Sequence, residues 1–180
     1  MKKLIRSIVV AACLAGVTLT PFAEASAALN AYLKLKGQKQ GQIRGSVTKK
    51  GREDSIMVIA VSHSIVSPRD AASGLPTGKR QHKPIVITKE LDKSSPLLLS
   101  ALVNNETLSS FALTIYGGAK KDTALYTIEL TNAQITSIDL RVQEDGTPVT
   151  DVAFTYQKIQ WTWHDGGITA QDDWSNAKKK

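Results

Sequence analysis

The sequence predicts a mainly β domain that carries one short α-helix. Several segments alternate apolar and polar side chains with a period of two, which is typical of strands with one buried face. The apolar run at residues 55–61 is too short for a typical helix and is rich in β-branched residues, so it predicts a buried strand. Residues 94–103 instead combine serine, proline and helically spaced leucines, which predicts a helix.

The first half of the domain is expected to contain four strands. Residues 31–35 alternate, and two glycines then bracket a turn before a second, polar strand at residues 42–48. The buried strand at residues 55–61 follows, and residues 85–88 form another. The long segment between these two, residues 62–83, is rich in proline and glycine and contains a basic run. Because loops beyond about 12–15 residues are usually functional or disordered, its order must come from hairpin pairing or from a partner subunit.

The single helix has recognisable ends. Ser94 or Ser95 is expected to accept a backbone hydrogen bond as the N-cap, and Pro96 fits the first helical position, where its missing N–H is not needed. The asparagines at 104–105 are expected to stop the helix. The face that should dock on the sheet has i, i+3, i+4 spacing and consists of Leu98, Ala101 and Leu102.

The second half is expected to add four strands. The first has one apolar face, made of Phe111, Leu113 and Ile115. Residues 125–130 and 135–142 form two more, followed by a turn at Asp145-Gly146. The last predicted strand, residues 152–163, needs a bulge or twist, because its apolar residues change parity midway. Trp161 and Trp163 share one face of it. We interpret them as packing residues rather than as a platform for stacking sugars.

The first 27 residues predict a cleavable export signal. Lys2, Lys3 and Arg6 precede an apolar stretch at residues 8–19, and Ala25-Ser26-Ala27 supplies small residues for cleavage. The stretch is shorter than the roughly 20 apolar residues of a membrane anchor, so no stable anchor is expected. Lipidation at Cys13, the only cysteine, is an open alternative. The predicted boundaries are a signal at 1–27, a domain at 28–174 and a disordered basic tail at 175–180.

Composition and motifs argue against several other functions. Without the predicted signal, which carries three basic residues and one acidic residue, the net charge falls from +7 to +5, which is modest. Basic residues are also not interleaved with aromatic ones, so no nucleic-acid binding is expected. The glycines at 74–80 are one residue too close for a phosphate-binding loop, and Arg80 stands where such a loop needs Ser or Thr. The segment is better interpreted as a turn.

Metal and catalytic sites are not predicted either. The three histidines, His63, His82 and His164, lie far apart in the sequence. The pair Asp172-Asp173 is interpreted as part of a turn or a cap rather than as a weak cation site. No Gly-x-Ser-x-Gly nucleophile motif occurs. We therefore expect no catalytic, cofactor or metal residues, and a hydrolase with an unrecognised site is the weakest hypothesis.

Several ordered strings resemble one family. They include residues 51–56, 67–70, 73–84, 87–90, 92–97 and 154–163, and they extend over most of residues 29–174. These strings resemble the haemolysin-coregulated protein (Hcp) family, the tube protein of type VI secretion systems.

The resemblance implies a fold and an assembly. The fold is a β-barrel of two packed antiparallel sheets with one short flanking helix. The assembly is a homohexameric ring whose copies stack into a hollow tube, which is propelled by a contractile sheath, meets a spike protein and carries small effectors in its lumen. The family implies no cofactor and no catalysis. It also implies that the long segment reaches a neighbouring subunit or ring, with candidate contact residues Pro68, Arg69, Asp70, Lys79, Arg80 and His82.

The export signal departs from the family. Family members are usually cytoplasmic before they leave through their own secretion machine, whereas a general export signal leads to the periplasm or the exterior. The chain is therefore either a tube subunit whose signal is inefficient or bypassed, or an exported Hcp-fold binding protein outside a working tube. A downstream start is a third explanation, but there is no methionine between Met1 and Leu29 to support it.

Overall fold

The computed structural model describes residues 30–117 and 122–174. The predicted signal at 1–27 and the predicted tail at 175–180 lie outside these ranges. The described part is mainly β with one short helix, which confirms the predicted fold class. Its one helix is too short to cross a lipid bilayer, and no other described segment is a membrane-spanning helix.

Thirteen strands and one helix make up the described residues, and they follow one another in this order. They are β1 (Ala31–Gly37), β2 (Gly41–Ile43), β3 (Ile56–Val58), β4 (Ala60–Ser62), β5 (Ile65–Val66), β6 (Gln81–His82), β7 (Ile85–Glu90), α1 (Ser95–Val103), β8 (Thr107–Tyr116), β9 (Ala124–Thr131), β10 (Ala133–Val142), β11 (Pro148–Thr155), β12 (Lys158–Trp163) and β13 (Ile168–Asp173).

Eleven of these strands form one continuous, curled sheet. Its main path runs β13-β12-β9-β8-β10-β11-β7-β4, and β1 joins β8 while also pairing with β2 and β3. All of these pairings are antiparallel. Strands β5 and β6 form a separate two-stranded hairpin. Strands β4 and β7 pair directly with each other, so the hairpin leaves and rejoins the sheet at one edge.

The curled sheet encloses an apolar core. Phe111 on β8 and Phe154 on β11 meet edge to face across it, with ring centroids 5.1 Å apart. Fully burying one such side chain contributes about 1.5–3 kcal/mol, so this core dominates the stability. The predicted apolar face of β8 is confirmed, because Phe111 and Leu113 are buried and Ile115 packs against them. The core also contains Leu33, Ile56, Ile85, Ile87, Leu98, Leu108, Val152 and Ile159.

Helix α1 docks as predicted but is capped differently. Leu98 and Ala101 are buried and Leu102 packs partly against the core. Ser94 takes the N-cap position, yet its hydroxyl makes no cap hydrogen bond and instead donates to Asp92. The hydroxyl of Ser95 accepts from the Asp92 backbone N–H. The predicted N-cap position is therefore confirmed, whereas the predicted cap hydrogen bond is absent, because Asp92 competes for the hydroxyl.

The predicted polar strand at residues 42–48 ends at Ile43. The chain then turns back on itself through residues 44–55, where the Gly45 N–H donates to the Asp54 carbonyl (2.8 Å) and the Asp54 N–H to the Val47 carbonyl (2.9 Å). Asp54 has a φ of 59°, which a regular strand does not allow. Local pairing within this loop therefore replaces the expected ladder.

Two predicted strands are each divided in the structure. Residues 55–61 form β3, which pairs with β1, and then β4, which pairs with β7. The break is at Ile59, whose N–H donates to the Thr88 carbonyl. Residues 152–163 divide at Tyr156, so that β11 pairs with β10 and β7 while β12 pairs with β9 and β13. Each break marks a change of partner strand. The predicted irregularity within residues 152–163 is confirmed by the second break, but periodicity did not reveal the change of partners.

The β12–β13 hairpin was not predicted in full. Strand β13 was missed, because its residues Ile168–Asp173 lack a strong apolar pattern and are mostly exposed. Trp161 packs partly against the core, as expected, whereas Trp163 is 39% exposed.

Candidate interaction site: the hairpin arm and its anchor

Residues 63–83, which we call the arm, form an exposed hairpin. Ile65 pairs with His82 and Val66 with Gln81, and a further bridge joins Arg69 to Pro76. The Thr77 N–H donates to the Pro68 carbonyl (3.0 Å), which extends the pairing towards the end of the hairpin. Nearly every residue of the arm is exposed. The expectation of order through hairpin pairing is confirmed within this one chain.

The end of the arm, residues 68–79, which we call the tip, is held by its own residues. The Asp70 carboxylate accepts hydrogen bonds from the N–H groups of Ala72 (3.1 Å) and Ser73 (2.7 Å) and from the Ser73 hydroxyl. These bonds from Ser73, and then from Ala72, lower the pKa of Asp70. Gly74 has a φ of 70°, which favours glycine, and its carbonyl accepts from Arg69 (3.0 Å). The tip is thus preformed, while Leu75 at its apex is 65% exposed.

The base of the arm is attached to the barrel through Tyr156. The Tyr156 hydroxyl lies 2.6 Å from Nε2 of His63 and 2.9 Å from Nδ1 of His82, so one phenol joins both ends of the hairpin. Nε2 of His82 lies 2.8 Å from Oδ2 of Asp172 on β13, and Arg80 makes a forked pair with the same carboxylate. We call these five residues the anchor.

Two members of the anchor are largely withdrawn from water. Tyr156 is 5% exposed and the His82 side chain 4% exposed. Burial, and then the Asp172 charge, raises the pKa of Tyr156 to about 12, so this hydroxyl stays protonated at any physiological pH. Hydrogen bonds from Arg80, and then from His82, lower the pKa of Asp172, which remains a carboxylate. Burial, and then the neighbouring His82, lowers the pKa of His63.

The six predicted contact residues fall into two groups. Pro68, Arg69, Asp70 and Lys79 lie in the tip. Arg80 and His82 lie at the base and contact Asp172 of their own barrel. The sequence offered no way to separate Lys79 from Arg80 and His82, since all three occur in one basic run.

Three anchor residues were not predicted as interaction residues from the sequence: His63, Tyr156 and Asp172. His63 and His82 are separated in the sequence but meet at Tyr156, so the inference from their spacing was incomplete. Asp172 forms an ion pair where turn or cap chemistry was expected, which corrects that interpretation. His63 and His82 lie near the two ends of the long segment at residues 62–83. This position is the only sequence feature that could have indicated that the two histidines are close in space. Among the described residues, no group of His, Cys, Asp or Glu is arranged to hold a metal ion.

A second notable surface is a groove beneath the 44–55 loop. It has a volume of about 450 Å³, and its apolar wall includes Met57 and Leu91, which are both nearly half exposed. Charged side chains of Lys49 and Glu90 also line it. Its open shape distinguishes it from the concave pockets that bind small molecules.

Comparisons with known proteins agree on one family. The family described as "Type VI secretion system effector, Hcp" matches residues 32–163. The major exported protein of Pseudomonas aeruginosa is 40% identical over 162 residues, which cover 80% of this chain and 94% of that protein.

Solved structures match as well. A crystal structure of an Hcp protein superposes with a TM-score of 0.75 at 34% identity, covering 80% of this chain and 98% of that one. Hcp1 from Escherichia coli EAEC 042 gives 0.74 at 34% identity, over 82% and 99% of the two chains. The secreted protein Hcp3 of Pseudomonas aeruginosa gives 0.68 at 35% identity, over 82% and 99%.

Proposed function

Because the chain belongs to the Hcp family of type VI secretion proteins, we propose that it is a structural subunit that forms hexameric rings. The rings stack into the inner tube of a type VI secretion system and carry or chaperone small effectors in their lumen. In this role the protein is secreted, acts without a cofactor and is not an enzyme. Its further partners are the contractile sheath and the spike protein.

The arm is the observation that carries this proposal. A closed ring is built from heterologous contacts, so each subunit needs two different, complementary patches. The arm is exposed along its length, its tip is preformed, and its removal would leave the core residues in place. A surface hairpin with this much internal order suits binding, because little conformational entropy remains to be lost when a partner docks.

Exposed apolar side chains support self-association. Helix α1 presents Leu99 and Val103 on the face turned away from the core, where they are 48% and 73% exposed. Trp163 and Ile168 are exposed together on the β12–β13 hairpin, where they form a cross-strand pair. Apolar groups that are clustered rather than scattered mark interaction surfaces, so several faces of this subunit are suited to burial in an assembly.

The tip is the part of the arm that we assign to the neighbouring subunit or ring. Pro68, Arg69, Asp70 and Lys79 lie there, and hydrogen bonds within the tip fix the positions of Arg69 and Asp70. Arg80 and His82 belong to the same proposed interface but act by holding the arm on its own barrel. The interface thus combines a contacting end with an anchored base.

The alternative function is that of an exported Hcp-fold binding protein of the periplasm or cell exterior. The predicted signal at residues 1–27 favours it, since general export would bypass assembly in the cytoplasm. Both functions use the same fold, and they differ in location and in assembly state.

Electron microscopy of the purified protein, with light scattering on a sizing column, tests the proposal. Rings with a mass of about six subunits are expected. A monodisperse monomer across the accessible concentration range contradicts the tube function and leaves the binding protein. Fractionation of cells that produce the tagged full-length chain then separates the two locations: a periplasmic pool with no sheath-dependent release supports the alternative.

A further inference from the structure

The hydrogens of the anchor can be assigned from the chemistry of its members. A carboxylate only accepts, so His82 donates from Nε2 to Asp172. Nδ1 of neutral His82 is then bare and accepts from the Tyr156 hydroxyl. The Tyr156 oxygen in turn accepts from Nε2–H of His63. With both imidazoles neutral, every hydrogen bond of the chain His63, Tyr156, His82, Asp172 is made.

One added proton leaves this series of hydrogen bonds intact. When His82 is protonated on both nitrogens, Nδ1–H donates to the Tyr156 oxygen, and the phenolic hydrogen rotates towards Nε2 of His63. His63 then adopts the tautomer that carries its hydrogen on Nδ1. The new charge lies beside Asp172, so the cluster tolerates it.

A second proton does not fit. Both imidazolium rings would donate to the same phenol oxygen, at 2.6 and 2.9 Å, and the phenolic hydrogen would then have neither histidine as an acceptor. Tyr156 stays neutral because its pKa is raised to about 12, so it supplies no compensating charge. Asp172 is already paired with Arg80, and Asp173 interacts with Arg80 as well. Two adjacent cations beside the buried Tyr156 repel each other.

We propose that His63, His82 and Tyr156 form a proton-operated latch that seats the arm on the barrel at neutral pH and releases its base when both imidazoles are protonated. His63 precedes β5 and His82 lies in β6, so repulsion between them acts on both sides of the base of the arm. The backbone pairing next to the latch, in which Lys83 N–H donates to the Ser64 carbonyl, opens with it. The barrel core, which contains neither histidine, stays folded.

The direction of the pH dependence follows from His63. Its pKa is lowered in the folded chain, so the seated arm binds fewer protons than the released arm. The stability of the seated state is therefore full above the ordinary histidine pKa of about 6.5 and falls as the pH drops towards the folded value. The latch consequently opens on the acid side of neutrality.

Hydrogen–deuterium exchange of the full-length protein tests the latch. Protection of the arm amides, corrected for intrinsic exchange, is expected to fall at least tenfold between about pH 7.5 and about pH 5, while β8 keeps its protection. The key variant is His63→Gln, since its amide can donate to Tyr156 but cannot gain a charge. Its arm should stay protected at the acid pH. His164→Gln, whose imidazole contacts Thr127 outside the latch, is the matched control and should behave like the unchanged protein.

Two results would overturn the latch: retained arm protection in the unchanged protein at acid pH, or an equal loss in His63→Gln. If that variant loosens the arm already at neutral pH, imidazole NMR of the unchanged protein decides. The His63 imidazole is expected to titrate below the ordinary histidine pKa of about 6.5, and titration of His63 at that ordinary value contradicts the latch. If the arm contacts a neighbouring subunit, opening of the latch should weaken that contact at acid pH, and this consequence rests on the proposed function. Hydrogen exchange of the arm amides, by contrast, is measurable in a monomer. Failure to form rings therefore leaves the latch standing.

Discussion

The guanidinium carbon of Arg52 lies 3.5 Å from the centre of the Tyr116 ring and 4.9 Å from that of Tyr32. The Arg52 side chain is 4% exposed and also donates to Asn30 and Asp122. A buried cation between two aromatic rings thereby fixes the 44–55 loop against β1 and β8.

Replacing Arg52 with Ala should lower the free energy of unfolding by about 2–3 kcal/mol, since it removes both the cation–π contacts and charged hydrogen bonds. Lys at this position should recover less than half of that loss, because it lacks the planar fork. Urea titration followed by circular dichroism measures both. Arg44→Ala, which breaks an exposed pair with Asp54 at 3.6 Å, is the control and should change stability by no more than about 0.5 kcal/mol.

Gly45 is needed for a close approach of two backbones. A Cβ added there would lie 2.2 Å from the Ser55 carbonyl oxygen and 2.6 Å from the Ile56 Cα, so the loop would have to move off β3. Gly45→Ala should therefore cost about 2–3 kcal/mol of stability in thermal or urea unfolding. Gly78→Ala is the matched control, because its Cβ would meet nothing closer than Pro68 at 3.9 Å. Equal effects of the two changes would contradict the steric explanation.

Glu106 supports the β1–β2 turn. Its carboxylate accepts from the backbone N–H groups of Lys39 (2.6 Å) and Gln40 (2.9 Å), and donation by Gln40 is the main reason that its pKa is lowered. A lowered carboxylate pKa contributes stability that is full above the unfolded value of about 4.3 and is lost as the pH falls through the folded value.

Glu106→Gln should cost about 1–2 kcal/mol at neutral pH, because its amide would place a donor against the Gln40 side chain. The substitution should also make the free energy of unfolding fall less steeply as the pH is lowered into the acid range. Urea titrations at several pH values between about 3 and about 7 measure both effects. Glu144→Gln, on the exposed β10–β11 turn, should leave this pH dependence as steep as before.

Lys89 places a buried ammonium group at the start of α1. The side chain is 1% exposed, and Nζ contacts Asp92 (2.9 Å), the Ser95 hydroxyl (2.9 Å) and the Glu90 carbonyl (2.6 Å). Lys89→Met should destabilise the protein by about 2–4 kcal/mol, since Asp92 loses its buried partner. Lys93→Met removes a pair with Asp54 between partly exposed groups and serves as the control. A loss for Lys93→Met as large as that for Lys89→Met would show that burial is not the cause.

Lys79 allows the tip to be tested without disturbing the anchor. Charge reversal of Lys79 to Glu should impair ring stacking, seen as shorter or absent tubes in electron micrographs, while circular dichroism stays unchanged. Reversing Arg80 as well should add a second effect, because it also breaks the pair with Asp172. Lys50→Glu, on an exposed loop away from the arm, is the control. Tubes of normal length for the Lys79 variant would remove the tip from the proposed interface.

Local pattern predicted those parts of the fold in which one strand keeps one set of neighbours. Alternation identified β8 and its buried Phe111, because its side chains face the core along most of the strand. It failed at Ile59, where the chain changes partner strands within one apolar run. Near Tyr156 the change of parity indicated a bulge or twist but not the change of partner strands. Strand β13 escaped notice because an exposed edge strand needs no apolar face.

The interaction site was predictable only in outline. The length and composition of residues 62–83 indicated a functional or disordered loop whose order would come from hairpin pairing or from a partner subunit, and the structure shows hairpin pairing. The attachment of its base was not predictable, because Tyr156 lies 93 residues from His63 and 74 from His82. Contacts over such separations are set by the whole sheet, and neither histidine has a distinctive local environment in the sequence.

The direct pairing of β4 with β7 makes the arm an exchangeable cassette. Ser62 and Val86 are cross-strand partners, so the two ends of the arm already lie side by side where it departs from the barrel. Lengthening, shortening or replacing the excursion costs little in loop-closure entropy and leaves the core pairings untouched. Over evolution, and in engineered variants, the reach of this appendage can therefore change while the barrel that bears it stays the same.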